Sequence, residues 1–215
     1  RYLLSSNMGE VLTVFGGVVL AGAIGLTGGP GLVVPLLAVQ ILWINLVTDS
    51  LPALAMGVDP EIDDVMVRPP RGRTQRLIDR RMWSEIWFVG LVMAAAPLLT
   101  IDLFLPGGLV EGGDTIVVAR TAGFTTLVLA QMFNALNSRS ETTSAFRRLF
   151  ANRWLWGALA CAVLLQVAVV ELPPLQRAFG TASLGAAHWL VTTAMASSVL
   201  WLDELRKLAL RARAR

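Results

Sequence analysis

The sequence predicts an all-α fold: a polytopic transmembrane helical bundle of six spans, with a kinked or unwound second span. Three observations lead there. Hydrophobic residues make up 55% of the 215 and charged residues only 15%, against about 25% charged in ordinary soluble domains. The mean hydropathy is +0.63. The apolar residues are also bunched into runs close to the ~20 residues a helix needs to cross hydrocarbon. One cysteine, Cys161, excludes a disulfide scaffold within the chain, and one histidine, His188, cannot build an imidazole metal cage.

The runs fall at 3–26, 34–56, 83–105, 119–136, 154–170 and 184–202, and together they make one domain, 1–215. The first carries Ser5, Ser6, Asn7 and Glu10 among its apolar residues. The second contains Pro52, which cannot donate to the carbonyl of Thr48 and crowds the preceding turn. That predicts a break at 48–52. The third ends at Pro106, and Gly107, Gly108, Gly112 and Gly113 mark an external loop after it. The fourth carries Gln131, Asn134 and Asn137, and the fifth and sixth are short. Trp83, Trp87, Trp154, Trp156 and Trp189 lie near run ends, where indole rings anchor at the membrane interface.

Charge placement orients the runs. Of the 18 basic residues, all but Arg120 and Arg177 lie at Arg1, in segments 66–81 and 137–153, or in the tail. The positive-inside rule therefore puts both termini and both Arg-rich loops in the cytoplasm. Each loop directly joins two spans, so its arginines read as contacts to the headgroups of a lipid bilayer and not to nucleic acid. The chain opens Arg1-Tyr2 with no signal peptide and no initiator Met, as a piece of a longer protein would. Its richness in Arg, Gly and Ala hints at a bacterial source, hence an integral protein of the bacterial plasma membrane.

Polarity inside the first two runs carries the chemistry. Carboxylates and amides in hydrocarbon are costly unless paired, hydrated or ion-bound. Asn7 and Glu10 are three apart on one helix face; Asn45, Thr48 and Asp49 are three and four apart on another. Facing each other, they offer two carboxylates, two amide oxygens and a hydroxyl, a hard-oxygen shell suited to Ca2+. The competing account is a polar interhelical network beside a proline kink. Gln131 and Asn134 share a face of the fourth run and have two accounts of their own: interhelical hydrogen bonds, or a peripheral contribution to the cation shell. Asp102 reads as a hydrated external position, Cys161 as a small buried hydrophobe, and His188 as an interfacial residue.

Several segments resemble P-type calcium-transporting ATPases, in order along the chain. Tyr2-Leu-Leu-Ser-Ser-Asn-Met-Gly-Glu-Val11 resembles the start of their fifth membrane helix. Gln40-Ile-Leu-Trp-Ile-Asn-Leu-Val-Thr-Asp-Ser-Leu-Pro-Ala-Leu-Ala-Met-Gly57 resembles the sixth, and Asp59-Pro-Glu-Ile-Asp-Asp-Val-Met-Val-Arg-Pro-Pro-Arg71 the loop after it. Gln131-Met-Phe-Asn-Ala-Leu-Asn-Ser-Arg-Ser140 resembles the end of the eighth, and Leu202-Asp-Glu-Leu-Arg-Lys207 the end of the tenth.

The resemblance implies helices five to ten of a ten-helix pump. Asn7, Glu10, Asn45, Thr48 and Asp49 would then be metal ligands, with Gln131 a further candidate. It implies Ca2+ as the transported ion, with Mn2+ a second candidate. Mg2+ and ATP would act in cytoplasmic domains, and those domains and helices one to four would be partners. Gln131 stands where the sarcoplasmic-reticulum type has a glutamate, which implies one transported ion. The 215 residues hold no Asp-Lys-Thr-Gly-Thr phosphorylation motif and no nucleotide-binding domain, so they alone would not hydrolyse ATP. Outside the pump reading stand a membrane scaffold or regulatory fragment, and an ATP-independent secondary cation carrier.

Overall fold

A computed structural model describes residues 1–26, 34–59, 79–140, 143–147 and 149–213. The predicted loop 66–81 therefore lies largely outside the described residues. The elements are all helical: α1 (Tyr2–Val19), α2 (Ala38–Trp43), a π-helical segment (Ile44–Thr48), α3 (Ser50–Met56), α4 (Arg80–Phe104), α5 (Ile116–Asn137), α6 (Arg153–Glu171), α7 (Pro173–Phe179) and α8 (Ala186–Arg213).

Their ends follow local chemistry. Asp79 accepts the backbone N–H of Met82 at 2.7 Å, and Asn152 accepts that of Leu155 at 3.0 Å, capping α4 and α6. Pro173 opens α7, and Gly180, at φ +62°, closes it in the left-handed conformation that favours glycine.

α5 is the central post. Phe124, Leu127, Val128 and Ala130 are wholly buried and pack with Met93 of α4, Leu155 and Val169 of α6, and Val199 of α8. α1 lies parallel to α4. A Cβ on Gly9 would stand 2.8 Å from the Cβ of Met93, and one on Gly90 would stand 2.7 Å from the Cγ of Met8. Small residues at both points let the backbones approach, as is usual between helices in lipid.

The expectation of six spans is corrected. Among the described residues, four helices are long and apolar enough to cross a membrane: Ala38–Met56, Arg80–Phe104, Ile116–Asn137 and Arg153–Glu171. α1 stops at Val19, and the chain continues in turns where the run to 26 predicted helix. Ser5, Ser6, Asn7 and Glu10 further dilute its apolar character. α8 is long, but Asp203, Glu204, Arg206 and Lys207 occupy its last turns. The apolar runs counted turn and connector residues as helix, and gave polar helices the same weight as apolar ones. Four such helices mark an integral membrane protein.

The described chain begins and ends at the same end of the bundle. Arg1 Nε lies 3.3 Å from Glu85 Oε1, and Arg206 reaches the same carboxylate at 3.2 Å. Lys207, fully buried, donates to the carbonyl of Asn137 at 2.7 Å, where a cation complements the carboxyl end of α5. Arg139 pairs with Asp59 at 2.9 Å. We call this the basic end. It also holds the start of α6, since Asn152 donates to the carbonyl of Ala55 at 2.9 Å.

Candidate cation site

The buried stripe of α1 reads Tyr2, Ser5, Ser6, Gly9, Glu10, Thr13 and Gly17, spaced by three and four. It is the face a helix turns inward, and here more than half of it is polar. Opposite stands the broken helix. The backbone N–H of Asp49 donates to the carbonyl of Ile44 at 2.9 Å, five residues back. This wider turn shifts the register ahead of Pro52 and buries Thr48 and Asp49 together. The hydroxyl of Ser50 donates to the carbonyl of Asn45 at 3.0 Å, satisfying one acceptor of the disturbed ladder. The interruption begins one turn earlier than the proline alone predicts.

Glu10 is the hub. Its Oε2 accepts from Asn45 Nδ2 at 2.7 Å, and its Oε1 accepts from Gln131 Nε2 at 2.8 Å. The Thr48 hydroxyl donates to the carbonyl of Ile44 at 3.0 Å and stands 3.5 Å from Gln131 Oε1, at the limit of a hydrogen bond. Asp49 Oδ1 accepts from the Tyr2 hydroxyl at 3.0 Å. Its other oxygen, Oδ2, is buried and has no hydrogen-bond partner among the described residues. One turn towards the basic end, Asn134 Nδ2 donates to the hydroxyls of Ser5 at 2.9 Å and Ser6 at 3.3 Å.

Two carboxylates, from Glu10 and Asp49, are thus buried among neutral donors. No lysine, arginine or histidine pairs with either among the described residues. Buried charge left this way carries a large desolvation cost unless a cation or proton offsets it. Nor is there, among the described residues, any group of three His, Cys, Asp or Glu side chains arranged so that it could hold a metal ion. Any metal held here would have two carboxylates, with amide, hydroxyl and carbonyl oxygens completing its shell. Asn45 and Gln131 now point N–H groups at Glu10, and a half-turn of each amide would present oxygen instead.

The predicted residues separate into groups. Glu10, Thr48, Asp49 and Gln131 are buried together; Asn45 is exposed but bonded to Glu10. Asn7 lies on the exposed side of α1, off the buried stripe. Asp102 is not a hydrated external group: it is 1% exposed, and its two oxygens accept the N–H groups of Leu109 and Val110. Cys161 is exposed, not buried. His188 lies 3.0 Å from Asp114 and against the Phe104 ring.

Sequence reasoning passed over Tyr2 as a partner of Asp49. The signal was available, because Tyr2, Ser6 and Glu10 recur every four residues and so share a face. It also passed over Gln166. That side chain accepts from Trp43 Nε1 at 3.3 Å and donates to Thr125 at 3.2 Å, tying α6 and α5 to the helix just before the π-helical turn.

The chain is similar to known proteins over most of its length. Residues 33–209 match the family described as "Cation transporting ATPase, C-terminus". The chain is 35% identical over 197 residues to a calcium-transporting ATPase of Bacillus subtilis, covering 92% of this chain and 21% of that protein. It is 34% identical over 223 residues to calcium-transporting ATPase 1 of Bacillus cereus, covering 97% of this chain and 24% of the relative. To calcium-transporting ATPase 1 of Schizosaccharomyces pombe it is 37% identical over 174 residues, 80% of this chain and 19% of the relative. The chain thus spans between 19% and 24% of the length of these curated relatives.

Proposed function

The chain belongs to the family of the C-terminal region of cation-transporting ATPases, and on that premise we propose that residues 1–215 form one transmembrane domain of an ATP-driven Ca2+ pump. It supplies intramembrane oxygen ligands, while phosphorylation and nucleotide binding belong to cytoplasmic domains of the whole protein. The observation that carries the reading is the pair of buried carboxylates that have no protein counter-cation among the described residues, one of which, Asp49, keeps an oxygen without a partner among them. Glu10, Thr48, Asp49, Asn45 and Gln131 form the shell around that charge. Asn7 faces the exposed side and would join only through a helix of the whole pump packed there. The remaining transmembrane helices and the cytoplasmic domains are the partners.

The donor set dictates ion class. Carboxylate, amide, hydroxyl and carbonyl oxygens suit Ca2+, and they suit Mn2+ next; soft metals want thiolate or imidazole. In the whole pump, Ca2+ is expected to trigger phosphorylation by ATP, Mn2+ to substitute for it, and Zn2+ and Cu+ to fail. Phosphorylation driven by Zn2+ or by monovalent ions in place of Ca2+ would overturn the reading. ATP-independent uptake by vesicles would point to a secondary carrier instead.

The basic end faces the cytoplasm in this reading, and the membrane is that of a bacterial cell. α5 joins the two sides. A membrane-impermeant thiol reagent, applied to a Cys161→Ser background, is expected to label Gly113→Cys, where an added side chain meets nothing within 4 Å, from outside and Ser144→Cys only after permeabilisation. The reverse pattern would invert the orientation, and labelling of both from one side would remove α5 as a span.

A further inference from the structure

At the basic end, a cleft of about 520 Å³ opens between the end of α3 and the first turn of α6. Val58, Ala151, Asn152, Arg153, Trp154 and Gly157 line it. Its volume is within the range of small-ligand sites, yet its setting is an interface. Trp154 is 74% exposed, as befits an indole at headgroup depth. We propose that this cleft binds the headgroup of an anionic glycerophospholipid, with Arg153 on the phosphate.

The first support is charge. Arg153 is exposed and forms no ion pair among the described residues, so its guanidinium is available for a phosphate. Asp59, which follows Val58 in the chain, is paired with Arg139 at 2.9 Å and offers little repulsion. The amino end of α6 adds its positive dipole to the same cleft.

The second support is shape. A Cβ on Gly157 would meet nothing within 4 Å, so the cleft stays open one turn above Arg153. From there the exposed face of α6 continues through Ala160 and Cys161 to Leu164, which is 70% exposed. Small residues followed by a large apolar one give an acyl chain a track leading down from the headgroup. Free phosphate would have no use for that track, and a soluble anion would not need Trp154 at the rim. A headgroup joined to a hydrocarbon tail matches both features.

The experiment uses the tryptophan at the site. The whole pump is reconstituted in phosphatidylcholine vesicles containing increasing fractions of brominated phosphatidylglycerol or brominated phosphatidylcholine. The quenching lost on Trp154→Phe isolates the signal of Trp154. Half-quenching is expected at about fivefold less phosphatidylglycerol than phosphatidylcholine, the factor contributed by one basic residue near an anionic surface. Arg153→Gln, a change at an exposed position, should bring the two curves together. Gly157→Leu should weaken quenching by both lipids. Equal quenching by the two lipids in the unaltered chain would show only unselective boundary lipid and overturn the proposal. So would a preference that survives Arg153→Gln. No Ca2+ or ATP enters the measurement, so its outcome is separate from that of the cation reading.

Discussion

Replacing Asp49 by Asn in the whole pump is expected to abolish Ca2+-dependent phosphorylation by ATP while sparing phosphorylation by inorganic phosphate. Asn matches Asp in size, and its carbonyl can still accept from the Tyr2 hydroxyl, which stands 3.0 Å from Oδ1. What changes is the second atom. Oδ2, buried and unpartnered, becomes an NH2 group that presents hydrogens where a cation requires a lone pair. One negative charge also disappears. Removing one member of a buried charge pair costs roughly 3–5 kcal/mol, a loss of about a hundredfold to several thousandfold in affinity. Reaction with inorganic phosphate needs the cytoplasmic chemistry but not the ion, so it separates a ligand defect from a folding defect. Normal Ca2+ dependence in the variant would remove Asp49 from the shell. Loss of both reactions would mean that the substitution damages the fold.

How much of this was legible beforehand differs from element to element. Glu10 and Asp49 could be singled out from sequence because a carboxylate in an apolar run is rare and costly, wherever its neighbours lie. Helical spacing set Thr48 and Asp49 three and four residues after Asn45 on one face, and Pro52 announced a break in their helix. The form of that break was not legible. A π-helical turn depends on where the freed carbonyls find partners, and here the Ser50 hydroxyl takes the carbonyl of Asn45. Spacing alone also misplaced Asn7. Three residues from Glu10 is near enough to share a face, but the inward stripe of α1 is set by packing on α4 and α5, and it leaves Asn7 on the exposed side. The count of spans failed because hydropathy runs do not see helix ends. Val19 closes α1 while apolar residues continue beyond it. Asp102 misled in the opposite sense: a polar residue near an external loop can be buried if backbone N–H groups claim both its oxygens, as those of Leu109 and Val110 do.

The second large effect concerns how many ions the whole pump carries, and it turns on Gln131. A Ca2+ ion takes six to eight oxygens. Glu10, Thr48, Asp49 and the carbonyls near the π-helical turn can fill much of one shell. A second shell on the α5 side would need another strong donor there. Gln131 is fully buried, donates to Glu10 at 2.8 Å, and meets Thr48 only at 3.5 Å. It brings one neutral oxygen, and turning that oxygen to an ion leaves its NH2 group needing a new acceptor. Charge argues the same way. Two divalent ions carry four positive charges into a low-dielectric interior, against the two carboxylates of Glu10 and Asp49 and whatever the rest of the pump supplies. One Ca2+ per phosphorylation site is therefore expected, with a Hill coefficient near 1 for Ca2+ activation. Gln131→Glu would add the missing charge beside Glu10. At saturating Ca2+ it is expected to raise occupancy above one ion. Equilibrium binding of radiolabelled Ca2+, normalised to sites phosphorylated by ATP, checks the unaltered pump and the variant alike. A ratio near 2 in the unaltered pump would mean that Gln131, despite its neutral amide, completes a second shell.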